Sequence, residues 1–335
     1  MNSRSDPTNY STRSLPLSFP TRCKLLVLRW LLRPFMAYLL RGHPRRVARA
    51  QIGIAGRWAS ARQRERFRYD YHWGEDGAVA GHSLGTPFTS TGSPVLLWLH
   101  GGAFVLPAMP RGHLSFAERL CDPLAASAFI PDYRLAPANP FPAALDDCEA
   151  AYRLLLDSGV PAERVVLGGE SAGGNLLVSL LYRIRDRGMP MPACAIAVSP
   201  ALDLGRLHGS PSRFVNAGRD AMLPVASLAQ ALDWYLDGAD SANPEISPLL
   251  GECRGLPPTL IVASEAELLR DDSVLFARRL AAAGVPSELA LWPHLPHAFP
   301  LLEDWFPEAS GARQQITTFM KEQLQKGAGR SGERR

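Results

Sequence analysis

The stretch Val165-Val166-Leu167-Gly168-Gly169-Glu170-Ser171-Ala172-Gly173-Gly174-Asn175 decides the fold. Its apolar start, residues 165–167, predicts a buried strand, and a helical pattern begins near Ala172 and reaches residue 187. Between them, Gly169-x-Ser171-x-Gly173 predicts a strained strand-to-helix turn that lifts the Ser171 hydroxyl out of a sheet. The N-terminus of the helix beneath it favours negative charge that develops there. Ser171 is therefore the candidate nucleophile.

A second Gly-x-Ser-x-Gly run, residues 81–85, resembles this pattern but lacks its context. Thr86-Pro87 follows it and cannot open a regular helix well, and no buried strand precedes it. We interpret Ser83 as part of an exposed strand or turn.

Short apolar runs alternate with helical segments on both sides of the quoted stretch. The predicted strands are residues 95–99, 128–131, 165–167, 195–198, 259–263 and 289–292, and the predicted helices are residues 114–126, 143–157, 172–187, 272–283 and 309–325. This alternation predicts an α/β fold with a mainly parallel, doubly wound sheet covered by helices on both faces.

The rest of the chain predicts a cap in two pieces and two loose ends. Residues 1–20, rich in Ser, Pro, Thr and Asn, are expected to form a disordered leader. Residues 21–68 are expected to form N-terminal cap helices, because Leu25, Leu28 and Leu32 begin an apolar stripe at helical spacing. Residues 69–326 form the predicted catalytic domain, with a second cap insertion at about 205–237, and residues 327–335 a flexible tail.

Charge is distributed unevenly along the 335 residues, whose net charge is +4. Residues 1–68 hold 15 Lys and Arg against Asp6 and Glu65, which is +13, so the remaining chain carries −9. This basic segment could dock on the acidic body, touch an anionic membrane surface weakly or simply be solvated. Aromatic residues are not interleaved with its basic ones as a stacking platform requires, so we predict no nucleic-acid binding.

The same segment bears on where the protein resides. Residues 24–40 are too short and too charged to span a bilayer, and no cleavage site of a signal peptide follows them cleanly. The five scattered cysteines include no Cys-x-x-Cys pair and are interpreted as reduced core thiols. A cytoplasmic location is predicted.

A glycine-rich turn follows the predicted strand 95–99, in the sequence His100-Gly101-Gly102-Ala103-Phe104. Ester cleavage passes through a tetrahedral oxyanion, which backbone N–H groups of such a turn can stabilise. The N–H groups of Gly102 and Ala103 are the candidate donors, joined by that of Ala172 after the nucleophile. His100, Gly101 and Glu170 are expected to support this arrangement.

A general base and an acid should follow the nucleophile in the order Ser, acid, His. His297 lies beyond the last predicted strand and is the candidate base. Glu267 is the candidate acid and Glu265 the alternative, whereas Asp272 is interpreted as a helix N-cap. No His-Glu-x-x-His is present, and His294-x-x-His297 lacks helical context, so neither a metal nor another cofactor is predicted.

Taken together, these residues resemble the hormone-sensitive lipase family of α/β-hydrolases. The matching segments are residues 100–104, Asp132-Tyr-Arg-Leu-Ala-Pro137 with 141–145, residues 169–175, Leu269-Arg-Asp-Asp272 and His297-Ala-Phe299, and the likeness covers about residues 70–322. The resemblance implies the α/β-hydrolase fold, a capped esterase core and an acyl-enzyme mechanism without a cofactor. In that family the acid is commonly an Asp followed by Pro-Leu, a place that Glu267 takes here, and Ala103 replaces the usual third glycine.

The function predicted from these residues is that of a serine carboxylesterase acting on small-molecule esters of short to medium acyl chains. Amide deacetylation, lactone opening and acyl transfer would use the same triad and stay as alternatives. A more distant alternative is a non-catalytic, ligand-binding hydrolase homologue, which the presence of His297 disfavours. A homodimer is left open.

Overall fold

The computed structural model describes residues 10–12, 17–55, 61–74, 77–89, 92–205 and 211–332. The strands are β1 (Tyr10–Thr12), β2 (Phe67–Gly74), β3 (Gly77–Leu84), β4 (Val95–Leu99), β5 (Ser127–Pro131), β6 (Val165–Glu170), β7 (Cys194–Val198), β8 (Thr259–Ser264) and β9 (Ser287–Trp292). The α-helices are α1 (Phe19–Val27), α2 (Arg33–Leu40), α3 (Pro44–Ala55), α4 (Ala61–Arg66), α5 (Pro110–Cys121), α6 (Ala143–Asp157), α7 (Ala172–Asp186), α8 (Pro211–Val215), α9 (Val225–Leu236), α10 (Arg270–Ala282) and α11 (Ser310–Gly332).

These strands form one twisted sheet in the order β1-β9-β8-β7-β6-β4-β5-β3-β2. Strands β4 to β9 are parallel to one another, whereas β2 and β3 form an antiparallel hairpin that joins the sheet through an antiparallel pairing of β3 with β5. The predicted mainly parallel α/β sheet is confirmed. The hairpin was missed because the strand prediction rested on short continuous apolar runs, whereas β2 and β3 mix buried, half-buried and exposed residues and contain several polar side chains.

Successive residues of the central strands point into two separate cores, because side chains alternate across a strand. Leu97 and Leu167 lie in the core that α6 and α7 cover. Trp98 and Val166, their neighbours along the chain, lie in the core that α5 and α11 cover. Both faces of the sheet are therefore buried, which explains why these strands are continuous apolar runs.

The chain ends are more ordered than the sequence predicted. Residues 10–12 of the supposed disordered leader form β1, which pairs in parallel with β9 and so satisfies that strand's outer edge. Residues 327–332 of the predicted flexible tail continue α11. Gly327 lies close to Glu163, since a Cβ added to Gly327 would be 3.1 Å from the Glu163 carbonyl oxygen. The remaining residues of both predicted segments lie outside the described ones.

The rejected serine, Ser83, lies in strand β3, as its interpretation allowed, but it is buried rather than exposed. Burial follows from the position of β3, which pairs with β2 on one side and β5 on the other. The strand ends at Leu84, and the next element along the described chain is strand β4, so the strand-to-helix turn of a nucleophile is absent there.

The N-terminal helices pack on the rest of the protein. Such docking is one of the three possibilities given for the basic segment, beside weak membrane contact and solvation. Lys24 donates to the carbonyl oxygen of Trp305 at 2.6 Å. Arg33 donates to the carbonyls of Ala217 at 2.9 Å and Asp220 at 3.2 Å, in the segment between β7 and β8. Lys24 and Arg33 therefore dock on backbone carbonyl oxygens, whereas Arg66 of α4, in the same basic segment, pairs with the carboxylates of Glu118 and Asp122.

The helices α1 and α2 are joined by a π-helical turn, Leu28–Leu32. Pro34 follows it and has no N–H to continue a regular helix, and the N–H of Arg33 bonds to the carbonyl of Leu28, five residues back. Strand β2 starts at Phe67, so the end of the segment predicted as N-terminal cap helices, residues 21–68, is a strand.

The five cysteines are free thiols, and four of them are buried as predicted. Cys23 is exposed on α1, so it is not a core residue. Within the described ranges, no helix combines the length and the apolar character that crossing a bilayer requires.

Gly173 provides a test of the packing between β4 and the turn at Ser171. A Cβ there would lie 1.9 Å from the carbonyl oxygen of Leu99, which the backbone cannot accommodate. We expect Gly173→Ala to lower the free energy of unfolding in urea by more than about 4 kcal/mol. The matched control is Gly112→Ala in α5, where nothing lies within 4 Å of the added carbon. It should raise stability by up to about 1 kcal/mol, and equal losses in both variants would contradict the packing argument.

Candidate active site

The turn at Ser171 has the strained backbone that the sequence predicted. Ser171 has φ 56° and ψ −118°, a conformation that non-glycine residues rarely adopt. Its N–H donates to the carbonyl of Val198 at the end of β7, at 3.0 Å. The side chain is half-buried and stands at the start of α7, at the carboxyl edge of the sheet.

The glycine-rich turn after β4 lies beside it. Gly102 has φ 124°, and Ala103 and Phe104 have φ 54° and 62°, so three successive residues adopt left-handed backbone conformations. The carbonyl of Gly102 accepts from Val105 at 3.1 Å and from Leu106 at 2.9 Å, which turns the chain back. Among the described residues, none accepts a hydrogen bond from the N–H of Gly102 or of Ala103. These donors are available to an external acceptor.

Glu170, the residue before Ser171, ties this turn to the rest of the site. Its carboxylate is buried and accepts from Trp98 Nε1 at 2.7 Å and from the N–H of Gly101. His113 Nε2 lies 2.7 Å from Glu170 Oε1, and His113 Nδ1 accepts the N–H of Met109 at 2.7 Å. Because Nδ1 accepts, Nε2 carries the proton and donates to Glu170.

His100 is held as a neutral ring under the turn. It stacks on Tyr133 with 4.2 Å between ring centroids, and its Nδ1 lies 2.7 Å from the carbonyl oxygen of Gly101. Burial, followed by the neighbouring His113, lowers the pKa of His100 to about 4. The supporting role predicted for this residue is therefore a packing role without charge at neutral pH.

His297 and Glu267 form a direct pair. Nδ1 of His297 lies 2.6 Å from Oε2 of Glu267, and Oε1 of Glu267 accepts the N–H of Ser264 at 2.9 Å. Glu267 is fully buried and His297 is 4% exposed. The pair leaves the other ring nitrogen, Nε2, as the atom through which His297 can exchange a proton with a substrate.

The environment of His297 favours its protonated form. Burial on its own lowers the pKa of His297, but the hydrogen bond and the charge of Glu267, with the charges of Asp220 and Glu170, outweigh it. The pKa of His297 is therefore raised above its ordinary value of 6.5.

Ser199, which follows β7, connects the two halves of the site. Its hydroxyl accepts the N–H of Ala298 at 3.1 Å, while the carbonyl of the preceding Val198 accepts the N–H of Ser171. No hydrogen bond joins the Ser171 hydroxyl to His297 in this structure. Hydrogen bonds of this kind commonly tighten only when substrate is bound.

Two other carboxylates lie close to Glu267 in sequence: Glu265, the alternative acid, and Asp272, the predicted helix N-cap. Glu265 lines a surface cavity with Arg219 and Arg270 and does not contact His297. Asp272 is not the N-cap of α10, a role that Leu269 occupies without a side-chain hydrogen bond. Instead it is fully buried, accepts the N–H of Leu202 at 2.9 Å and pairs with Arg213 at 2.8 Å.

Sequence reasoning missed the residues that hold the loop bearing Glu267. Asn216 Nδ2 donates to the carbonyls of Glu265 and Glu267, at 2.9 Å each. Asp220 accepts the N–H of Leu268 at 2.9 Å. Both belong to the predicted cap insertion, about 205–237, far from Glu267 in sequence, and an Asn and an Asp in an irregular segment gave no signal of this contact. Within the described ranges, no three His, Cys, Asp or Glu side chains are grouped so that they could hold a metal ion.

Glu170 provides a test of how the site is held together. Replacing it by Ala leaves the buried donors of Trp98, Gly101 and His113 without an acceptor, and each such loss costs about 1–3 kcal/mol. We therefore expect Glu170→Ala to lower the free energy of unfolding in urea by at least about 3 kcal/mol. Asp186→Ala, at an exposed ion pair with Arg185, is the control and should change it by less than about 0.5 kcal/mol. A loss of similar size in the two variants would show that the Glu170 contacts do not stabilise the fold.

Comparison with known proteins shows which family this chain resembles. A profile described as the alpha/beta hydrolase fold matches residues 96–301, more than half of the chain. An acetyl-hydrolase of Streptomyces hygroscopicus is 37% identical over 226 residues, 68% of this chain and 75% of that protein. The esterase LipU of Mycobacterium tuberculosis (strain ATCC 25618 / H37Rv) is 38% identical over 234 residues, 68% of this chain and 77% of that protein.

A solved structure extends the likeness to most of the chain. The crystal structure of an esterase from the bacterial hormone-sensitive lipase family superposes with a TM-score of 0.77 at 29% identity, over 92% of this chain and 100% of that one. The elbow at Ser171, the glycine-rich turn after β4 and the sheet order agree with this assignment. The chain belongs to the hormone-sensitive lipase family of α/β-hydrolases.

Proposed function

We propose that this protein is a serine carboxylesterase whose triad is Ser171, Glu267 and His297. The observation that carries the proposal is the 2.6 Å contact between His297 Nδ1 and Glu267 Oε2, at the sheet edge where the strained turn presents Ser171. Relatives named as an acetyl-hydrolase and an esterase support hydrolysis of carboxylic esters. The chain is a hydrolase of carboxylic esters. We propose in addition that it acts through a nucleophilic serine.

The mechanism begins with His297 as general base. Its Nε2 takes the proton of the Ser171 hydroxyl as the oxygen attacks the ester carbonyl carbon, which gives a tetrahedral oxyanion. Glu267 holds the proton on Nδ1, so Nε2 is free to accept, and its negative charge stabilises the imidazolium that forms. His297 then donates the proton to the leaving alcohol, and the acyl group stays on Ser171.

Water completes the reaction by the same route in reverse. His297 removes a proton from water, which attacks the acyl carbon, and the proton returns to Ser171 as the carboxylic acid leaves. The N–H groups of Gly102, Ala103 and Ala172 are proposed to bind the oxyanion in both steps. Loss of one such donor typically raises a barrier by about 3–4 kcal/mol.

Short to medium acyl chains are the proposed substrate range. A relative named as an acetyl-hydrolase and another named as an ethyl acetate hydrolase of Pseudomonas putida support the short end. Amide, lactone and acyl-transfer chemistry would use the same residues, but the relatives named as an esterase and as an ethyl acetate hydrolase favour esters. The ligand-binding alternative is disfavoured because His297, the base that hydrolysis requires, is present and is paired with Glu267.

A series of p-nitrophenyl esters, from acetate to laurate, tests the nucleophile and the acyl preference. We expect the wild type to prefer the shorter chains and Ser171→Ala to lose on the order of 10⁵-fold or more in kcat. Ser83→Ala is the matched control, since it removes the same hydroxyl from the other Gly-x-Ser-x-Gly run, and it should keep the wild-type rate if the protein folds. Full activity in Ser171→Ala would disprove the proposed nucleophile.

The pH dependence of kcat/KM tests the base and its partner. Since the pKa of His297 is raised, activity should fall as the pH drops, with its midpoint above 6.5. In Glu267→Gln the raising hydrogen bond and charge are lost, so the midpoint should move to lower pH while the rate drops by about 10³- to 10⁴-fold. Glu265→Gln, which changes a neighbouring carboxylate that does not touch His297, should alter neither. A midpoint that stays in place in Glu267→Gln would argue against Glu267 as the acid.

A further inference from the structure

The outer face of α1, the π-helical turn and α2 exposes an unusual amount of apolar surface. Its side chains, here called the apolar ridge, are Phe19, Leu26, Trp30, Leu31, Phe35 and Tyr38, of which Phe19 is 78% and Trp30 71% exposed. They recur at helical spacing and therefore lie along one side of the segment. Contiguous apolar surface of this kind commonly marks an interaction site.

The opposite side of the same segment is fixed to the body, so the ridge cannot turn inward. Thr21 Oγ1 donates to Glu308 at 2.7 Å, Lys24 to the carbonyl of Trp305, and Arg33 to the carbonyls of Ala217 and Asp220. Leu28 is buried between these contacts. The structure thus holds the ridge outward, and no described segment of the chain covers it.

The segment that carries the ridge is rich in positive charge, and the carboxylate that contacts it, Glu308, is bound by Ser18 and Thr21 rather than by an arginine. Residues 17–55 contain eight Lys and Arg and no Asp or Glu. Arg22, Arg41, Arg45 and Arg49 are exposed, and none of the ion pairs among the described residues involves them. Apolar side chains bordered by unpaired arginines match a surface that is negatively charged outside and apolar beneath.

We propose that the apolar ridge docks on an anionic lipid surface. Trp, Phe and Leu on one side of a helix enter the boundary between headgroups and acyl chains, and arginines beside them bind lipid phosphates. A second copy of this chain is a poorer occupant, because a two-fold interface through the ridge would bring two segments of +8 charge together. The occupant is therefore assigned by charge complementarity.

A cavity continues from the ridge toward the loop after His297. It has a volume of about 390 Å³ and is lined by apolar side chains that include Leu28, Leu31, Phe35, Leu302 and Trp305. Leu31 and Phe35 belong to both the ridge and the cavity wall. Docking by the ridge would place the mouth of this cavity against the acyl region of the lipid.

Sedimentation of the full-length protein with vesicles tests the proposal. We expect it to pellet with vesicles that contain phosphatidylglycerol at low salt, to bind pure phosphatidylcholine at least about tenfold more weakly, and to dissociate as salt is added. The variant Phe19→Ser/Leu26→Ser/Trp30→Ser should lower the partition coefficient by about tenfold or more. These three side chains do not line the cavity, so turnover of p-nitrophenyl acetate and the thermal unfolding midpoint should stay at wild-type values.

Two further variants separate the contribution of the apolar ridge to vesicle binding from those of other exposed aromatic side chains and of the arginines. Tyr71→Ser/Trp73→Ser removes two exposed aromatic side chains from β2 and should bind vesicles like the wild type. Arg41→Gln/Arg45→Gln/Arg49→Gln should lose the preference for anionic over neutral lipid. The proposal is overturned if the wild type does not pellet with anionic vesicles at low salt, or if the ridge variant binds them as well as the wild type. It is also overturned if the protein elutes as a dimer that the ridge variant turns into a monomer without any lipid binding, since the ridge would then be a subunit interface.

Discussion

The close approach of two backbone segments, β4 with its following turn and the turn at Ser171, is the constraint on which the site depends. The Cα of Gly173 faces the carbonyl oxygens of Leu99 and His100 so closely that only a hydrogen fits there. This contact sets the distance between β4, which leads to the proposed oxyanion donors, and α7, which starts after Ser171. The Glu170 carboxylate, next to Ser171 in the second segment, reinforces this contact by accepting hydrogen bonds from the first segment, from Trp98 of β4 and from Gly101 of the turn after it. The proposed nucleophile and the proposed oxyanion donors are thus positioned by one packed unit.

The proposed acid, Glu267, and the proposed base, His297, are positioned differently, by loops that other parts of the chain hold in place. The loop after β8 carries Glu267, and its carbonyls and N–H groups are bound by Asn216 and Asp220 from the segment between β7 and β8. This predicted cap insertion therefore braces the acid's loop as well as covering the body. Arg33 of the N-terminal helices bonds to carbonyls of the same segment. Both pieces of the cap are linked to the position of Glu267 through these contacts.

A longer carboxylate is accommodated at the acid's place because its second oxygen has a fixed partner. Glu267 Oε1 accepts the N–H of Ser264, at the end of β8, and this hydrogen bond directs Oε2 toward His297. The extra methylene that Glu has over Asp is therefore accommodated because the Glu267 side chain bends back toward the end of β8. The raised pKa of His297 follows from this carboxylate and from the buried Asp220 nearby, although burial of the ring acts against it.

The sequence by itself determined the parallel sheet, the elbow at Ser171 and the turn at residues 100–104, because each rests on local rules of apolar period, glycine and strand-to-helix order. It also ranked Glu267 above Glu265, a prediction that the contact with His297 supports. Only the tertiary structure decided that Asp272 pairs with Arg213 instead of capping α10, that Ser83 is buried, and that Asn216 and Asp220 hold the acid's loop. These facts depend on which segments meet across the fold. A side chain's partner and burial are set by residues far away in sequence, and no local pattern encodes them.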